Sequence, residues 1–91
     1  MLEKVKLALR ITTSAFDDEL NDLIEAAKSD LGIAGVVLPA ELDAICTVAI
    51  TTYCKLHFGE PDEYDRLKRS YDEQKAQLSM ATGYTAWIDQ T

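Results

Sequence analysis

Apolar residues recur along the chain at the spacing of α-helices, and no stretch alternates for long enough to predict a β-strand. Proline and glycine separate the apolar runs: Pro39 and Pro61 precede two of them, whereas Gly59 and Gly83 follow them, as is typical of helix starts and ends. One run forms a single stripe on a 3.6-residue period. Its members are Phe16, Leu20, Leu23, Ile24, Ala27 and Leu31. The pattern predicts an all-α protein.

Three main helices and one short helix follow from these signals. The short N-terminal helix is predicted to begin at Leu2 and to end at Thr12. The first main helix begins near Ser14, where hydroxyl side chains precede a turn rich in carboxylates. The second is predicted for residues 39–58 and the third for residues 61–80. We therefore expect a small helical bundle.

The second main helix is apolar around most of its circumference, with threonines and Lys55 as the main exceptions. A helix that is apolar on all sides is normally buried on all sides. In a single small domain, the other helices can hardly surround it. Part of its surface is therefore expected to face another subunit. The apolar linker at residues 36–38 is expected to pack on the core.

The third main helix has a narrow seam, and an aromatic segment follows it. The seam consists of five residues at alternating spacings of three and four: Tyr64, Leu67, Tyr71, Gln74 and Leu78. We predict a helical domain in residues 1–83 and a C-terminal arm in residues 84–91, which either completes the chain's own core or anchors a neighbour. Aromatic residues are enriched where proteins bind each other. The side chains predicted to lie at interfaces are Tyr64, Tyr71, Tyr84, Trp87 and Ile88.

The chain is acidic, with 16 Asp and Glu against 9 Lys and Arg and a formal net charge of −7. Tight binding to nucleic acid or to an anionic membrane needs clustered cations, so we do not expect it. No apolar run approaches the ~20 residues of a membrane span, and no signal peptide is evident. These features predict a cytosolic protein.

The sequence gives little indication of a metal site or of a disulfide. Cys46 and Cys54 lie about 12 Å apart on one helix, which is too far for a disulfide, so we predict free, buried thiols. Cys54 and His57 could supply two metal ligands, whereas a structural zinc site needs four. The acidic residues between 17 and 25 lack the glycine-bearing loop of a calcium site. We predict no metal and no cofactor.

Catalytic chemistry is not evident either, because no serine has the neighbouring histidine that would activate it as a nucleophile. Arg10, Arg66 and Arg69 could hold a dicarboxylate substrate in a small helical enzyme. The carboxylates beside Arg66 and Arg69 favour surface ion pairs instead. We predict that the protein is not an enzyme.

One group of short segments extends along most of the chain: LEKVKLALRITT (2–13), DEL (18–20), LIEAAK (23–28), HFG (57–59), YD through Leu78 (71–78) and TGY (82–84). These segments resemble the small head–tail connector proteins, also called head-completion or DNA-packaging proteins, of tailed bacteriophages and prophages. The resemblance covers nearly the whole chain and involves no catalytic residue. Its later segments look like the members from phages of Gram-positive bacteria.

This resemblance implies an all-helical subunit that assembles into a ring, typically a dodecamer, beneath the portal protein. Such a ring extends the DNA channel and receives the next connector or a tail-completion protein, so the subunit would be assembled in the host cytoplasm and reside in the virion. Residues 12–35 have a net charge of −5, from six carboxylates and one lysine. We therefore expect DNA to pass without specific binding along an acidic face formed by Asp17, Asp18, Asp22 and Glu25.

Two alternatives remain open at this stage. One is a small acidic helical regulator that binds another protein as a monomer or dimer and masks a nucleic-acid site by charge mimicry. The other is the small helical enzyme that would use the three arginines.

Overall fold

The computed structural model describes residues 1–59 and 62–80, which form four α-helices joined by loops and contain no extended strand. Its helices are α1 (Leu2–Leu9), α2 (Asp17–Ile33), α3 (Ala44–His57) and α4 (Tyr64–Met80). The prediction of an all-α fold with one short N-terminal helix and three main helices is confirmed. The arm predicted for residues 84–91 lies outside the described residues.

Helix α3 lies at the centre of the fold, and α1, α2 and α4 all pack against it. Six of its 14 residues are buried. The apolar stripe of α2 packs against α3, and the 3.6-residue period predicted that one face of α2 would be buried. The buried core consists of Val5, Leu20, Ile24, Ala27, Leu31, Val36, Cys46, Ala49, Ile50, Cys54, Tyr71 and Leu78.

The junction between α1 and α2 differs from the prediction. Helix α1 ends at Leu9 and not at Thr12, because Arg10 adopts a left-handed conformation with φ 60° and ψ 40°. Helix α2 begins at Asp17, with Phe16 at the N-cap and no side-chain cap. The hydroxyl of Thr13 instead accepts a hydrogen bond from the Ala15 N–H at 3.2 Å, a local turn that competes with capping.

The starts of α3 and α4 also fall later than predicted. Helix α3 begins at Ala44 because Asp43 caps it, accepting a hydrogen bond from the Cys46 N–H at 3.0 Å. An aspartate cap thus fixes the start more strongly than Pro39 does. Helix α4 begins at Tyr64, after a turn at residues 62–63.

The linker after α2 packs on the core in part. Gly35 adopts φ 92° at the end of the helix, a conformation that glycine reaches without strain. The Val36 N–H then donates to the Leu31 carbonyl at 3.0 Å, and the Val36 side chain is buried. Leu38 is partly buried against the core. Val37 is half exposed, so the prediction of packing is wrong for that residue.

Both cysteines are free and buried, as predicted. Burial raises the pKa of Cys54 to about 11. Burial, followed by the hydrogen bond and negative charge of Asp43, raises the pKa of Cys46 to about 11. Thiols with such pKa values are weak nucleophiles at neutral pH, so both act as packing residues. No helix in residues 1–59 and 62–80 is both long and apolar enough to span a membrane.

Candidate interaction surfaces

Three of the four predicted channel residues form an exposed stripe on α2. Asp18, Asp22 and Glu25 follow one another at spacings of four and three residues, which places them on one face of the helix. All three are exposed, and Glu25 pairs with Lys28 at 3.1 Å. We call these three residues the acidic stripe.

Asp17, the fourth predicted channel residue, joins two helices. One of its carboxylate oxygens lies 2.8 Å from the Lys6 ammonium of α1, and the Lys6 side chain is only 12% exposed. The contact neutralises Asp17 locally and fixes the end of α1 against the start of α2. Asp17 therefore contributes less negative charge to the surface than the acidic stripe does.

Tyr71 occupies the core and links α4 to α2. It is 3% exposed, and its hydroxyl donates to Asp30 Oδ2 at 2.5 Å. The Lys75 ammonium donates to the same oxygen at 3.2 Å and lies 5.3 Å from the centre of the Tyr71 ring. Tyr53 contacts that ring edge-on at 5.3 Å. In this conformation Tyr71 offers almost no surface to a neighbour, and its contacts lie within the subunit.

Electrostatics at this link favour a charged Asp30 and a neutral Tyr71. Partial burial works against ionisation of Asp30, but hydrogen bonds from Tyr71 and Lys75, with the positive charges of Lys75 and His57, lower its pKa overall. Burial, then the hydrogen bond to Asp30, raise the pKa of Tyr71. The phenol thus stays protonated and acts as the donor. We call Asp30, Tyr71 and Lys75 the α2–α4 link.

The lowered pKa of Asp30 predicts a pH dependence of stability. The α2–α4 link contributes fully to the free energy of unfolding above about pH 4, the usual pKa of an Asp in an unfolded chain. This contribution is lost as the pH falls through the lower pKa that Asp30 has in the folded protein. Asp30→Asn is expected to lower the melting temperature at neutral pH and to approach the wild type in strong acid. Circular dichroism melts across that range measure this, with Asp22→Asn on the exposed side of α2 as the control. If the melting temperatures of Asp30→Asn and the wild type differed by the same amount at every pH, the prediction would be contradicted.

Tyr64, the other described tyrosine predicted for an interface, is 47% exposed at the start of α4. It borders an open groove with charged residues of the same helix, where Lys68 pairs with Asp72 at 3.0 Å. Tyr64 is therefore available to a partner. Tyr84, Trp87 and Ile88 lie outside the described residues.

The residues considered for catalysis or metal binding do not assemble a reactive centre. Arg66 pairs with Glu63, as the ion-pair interpretation predicted. Arg10 borders a groove along α1, whereas Arg69 borders one on α4. The His57 ring packs on Tyr53, with 4.2 Å between ring centres. Within residues 1–59 and 62–80, no three His, Cys, Asp or Glu side chains are placed to hold a metal ion.

Helix α3 leaves part of its apolar surface uncovered. Ile45 is 49% exposed and Val48 is 52% exposed, although α3 lies at the centre of the fold. Together with Ala44 and with Gln77 of α4, they line an open groove of about 270 Å³. We call these four residues the apolar strip. Its position on α3 agrees with the expectation that this helix has more apolar surface than one subunit covers.

Sequence reasoning missed the partners of Tyr71. From the sequence, Asp30 was one more acidic residue of α2, and Lys75 was a residue on the solvated side of α4. The tyrosine and the aspartate are 41 residues apart, so no local pattern connects them. A heptad-like seam indicated only that Tyr71 packs against something.

Comparison with known protein families gives a match over most of the chain. The family model described as "Phage connector protein" matches residues 1–85, a span that includes all four helices. No curated protein and no solved structure matches the chain significantly.

Proposed function

Since this chain belongs to the phage connector protein family, we propose that it is a virion structural protein that assembles as a ring beneath the portal and joins capsid to tail. The observation that supports this proposal most strongly is the family match, which spans 85 of the 91 residues. A structural connector needs no catalytic residues, and the described residues contain charged surfaces and an apolar groove that suit binding.

A ring of identical subunits requires two different complementary surfaces on each subunit. Each copy has a formal charge of −7, so neighbouring copies repel each other least where they meet at uncharged surfaces. The apolar strip is such a surface. We propose contacts between subunits, or with the portal, at exposed Tyr64 and at Tyr84, Trp87 and Ile88, and we assign Tyr71 to the subunit's own core. The proposed ring is a dodecamer.

The acidic stripe suits the wall of a DNA channel. Carboxylates repel the phosphates of DNA, so the duplex passes without the counterion release that holds it on basic proteins. We propose that the stripe faces the lumen, and that portal on one side and the next connector or a tail-completion protein on the other are the partners of the ring. Assembly takes place in the host cytoplasm, and the finished ring resides at the head–tail interface.

The test is binding to a portal oligomer from the same genome. The two proteins are mixed and analysed by native mass spectrometry and electron microscopy. We expect a complex that contains about a dozen copies of the 10.1-kDa chain in a ring coaxial with the portal. The chain alone serves as the control, since a ring that forms only on its partner is compatible with the proposal.

Two results would overturn this function. One is a failure to bind portal, connector and tail-completion proteins under conditions in which the chain is folded. The other is recovery of the chain from infected cells as a monomer or dimer on a protein that is absent from the virion. The second result would support the alternative of a small acidic regulator.

A further inference from the structure

The apolar strip and the C-terminal part of the sequence share an unusual property, the absence of charge. Residues 44–54 contain no Asp, Glu, Lys or Arg, and neither do residues 76–88. These are the two longest uncharged runs in a chain of which 27% is charged. The second run includes Tyr84, Trp87 and Ile88, the largest apolar side chains that follow α4.

The direction of α4 determines where this second run begins. Tyr71 of α4 contacts Tyr53 of α3. Six residues further along α4, Gln77 lines the apolar strip together with Ala44 and Val48 of α3. Helix α4 is therefore antiparallel to α3, and its last residue, Met80, is 80% exposed one turn beyond Gln77. At that point the axis of α4 is directed past the first turn of α3. Helix α4 therefore ends beside the first turn of α3, at the end of the fold where the apolar strip lies.

We infer that the segment containing Tyr84, Trp87 and Ile88 of one copy docks on the apolar strip of an adjacent copy. Trp87 and Ile88 would cover Ile45 and Val48, which are half exposed within one subunit. The occupant is a second copy of this chain, because two acidic copies repel wherever their charged surfaces meet and both of these surfaces are uncharged. The inference rests on the proposed function, since the ring is what places a second copy beside the first.

Docking can be tested with two full-length variants that each retain one half of the contact. Val48→Lys places a charge in the strip and leaves the C-terminal segment intact. Trp87→Ala removes the anchor and leaves the strip intact. Val48 is half exposed, so the lysine is accommodated at the surface without a cavity in the core. Circular dichroism verifies that both variants keep the helical content of the wild type.

Isotope-labelled Trp87→Ala is titrated with unlabelled Val48→Lys up to about 1 mM, where even a millimolar dissociation constant gives measurable binding. We expect chemical-shift changes that saturate and that centre on Ala44, Ile45, Val48 and Gln77. The same titration with a Val48→Lys/Trp87→Ala double variant is expected to give no such changes. The control for the strip is a labelled variant that combines Leu7→Lys with Trp87→Ala. It places a lysine at an exposed apolar residue that lies outside the apolar strip.

The position of Leu7 follows from two contacts. Lys6 binds Asp17, which places the end of α1 at the start of α2. Phe16 and Phe58 then contact each other at 5.4 Å, which places the start of α2 at the end of α3. Leu7 is thus at the opposite end of α3 from Ile45. Labelled Leu7→Lys/Trp87→Ala should bind Val48→Lys as Trp87→Ala does.

Three results overturn the inference. Titration to about 1 mM without changes at the strip shows that the contact does not form. Changes centred away from the strip assign the segment to another surface. Differences at the strip between dilute wild type and Trp87→Ala, without any change on titration, show that the segment covers its own subunit. If docking occurs in a chain that binds no portal or tail protein, the proposed function fails and this inference stands.

Discussion

Replacing Tyr71 with Ala is expected to lower the free energy of unfolding by about 3–5 kcal/mol, the usual loss for a large aromatic side chain removed from a core. Tyr71 is 3% exposed, and it provides both ring packing against α3 and a hydroxyl bonded to Asp30 of α2. Small domains have total stabilities of only about 5–15 kcal/mol, so this loss removes a large share of the stability of the fold. Urea denaturation followed by circular dichroism gives the value directly.

Two further tyrosine variants separate packing from hydrogen bonding. Tyr71→Phe keeps the ring and removes only the hydroxyl that Asp30 accepts, so its expected cost is about 1–2 kcal/mol. Tyr64→Ala makes the same truncation on the same helix at a half-exposed position, and we expect it to cost less than about 1 kcal/mol. If Tyr64→Ala were as destabilising as Tyr71→Ala, the assignment of Tyr71 to the core and of Tyr64 to the surface would be wrong.

The sequence predicted the helices well because their apolar spacing reflects burial. In α2, Leu20, Ile24, Ala27 and Leu31 are all buried, as the stripe required. Helix starts were less predictable, because proline, hydroxyl and carboxylate signals compete over a few residues. At α3 an aspartate cap five residues after Pro39 determines the start. At α2 the predicted hydroxyl cap is replaced by a local turn at Thr13.

The interaction surfaces were only partly predictable from the sequence. The surplus apolar surface of α3 was expected from its composition, but the identity of the uncovered residues depends on which faces α1, α2 and α4 occupy. The link between Asp30 and Tyr71 joins positions 41 residues apart and leaves no local pattern. Family membership was accessible from short segments spread along the chain, and the family match confirms it.

Reversing the charge of the acidic stripe is expected to make the assembled connector hold DNA. Asp18→Lys, Asp22→Lys and Glu25→Lys together change the formal net charge of each subunit from −7 to −1 and place lysines on one exposed face. Repeated around a ring, these lysines can contact several phosphates at once. A protein that contacts about six phosphates loses roughly 10³-fold in affinity between 50 and 200 mM salt, so retention of DNA should show that strong salt dependence. Binding to labelled duplex by rings on portal, and infectivity of phage carrying the variant, are the two measurements.

A second triple variant separates the effect of where the lysines lie from the effect of the net charge. Glu3, Asp65 and Glu73 are exposed on α1 and α4, and changing all three to Lys also gives a net charge of −1. If the stripe lines the channel, the stripe variant binds duplex and reduces infectivity at least about tenfold more than this control does, because only its lysines meet the passing DNA. Equal effects of the two variants would show that net charge alone is responsible and would remove the stripe from the channel wall. Asn at the three stripe positions should give an intermediate result, since it ends repulsion without adding attraction.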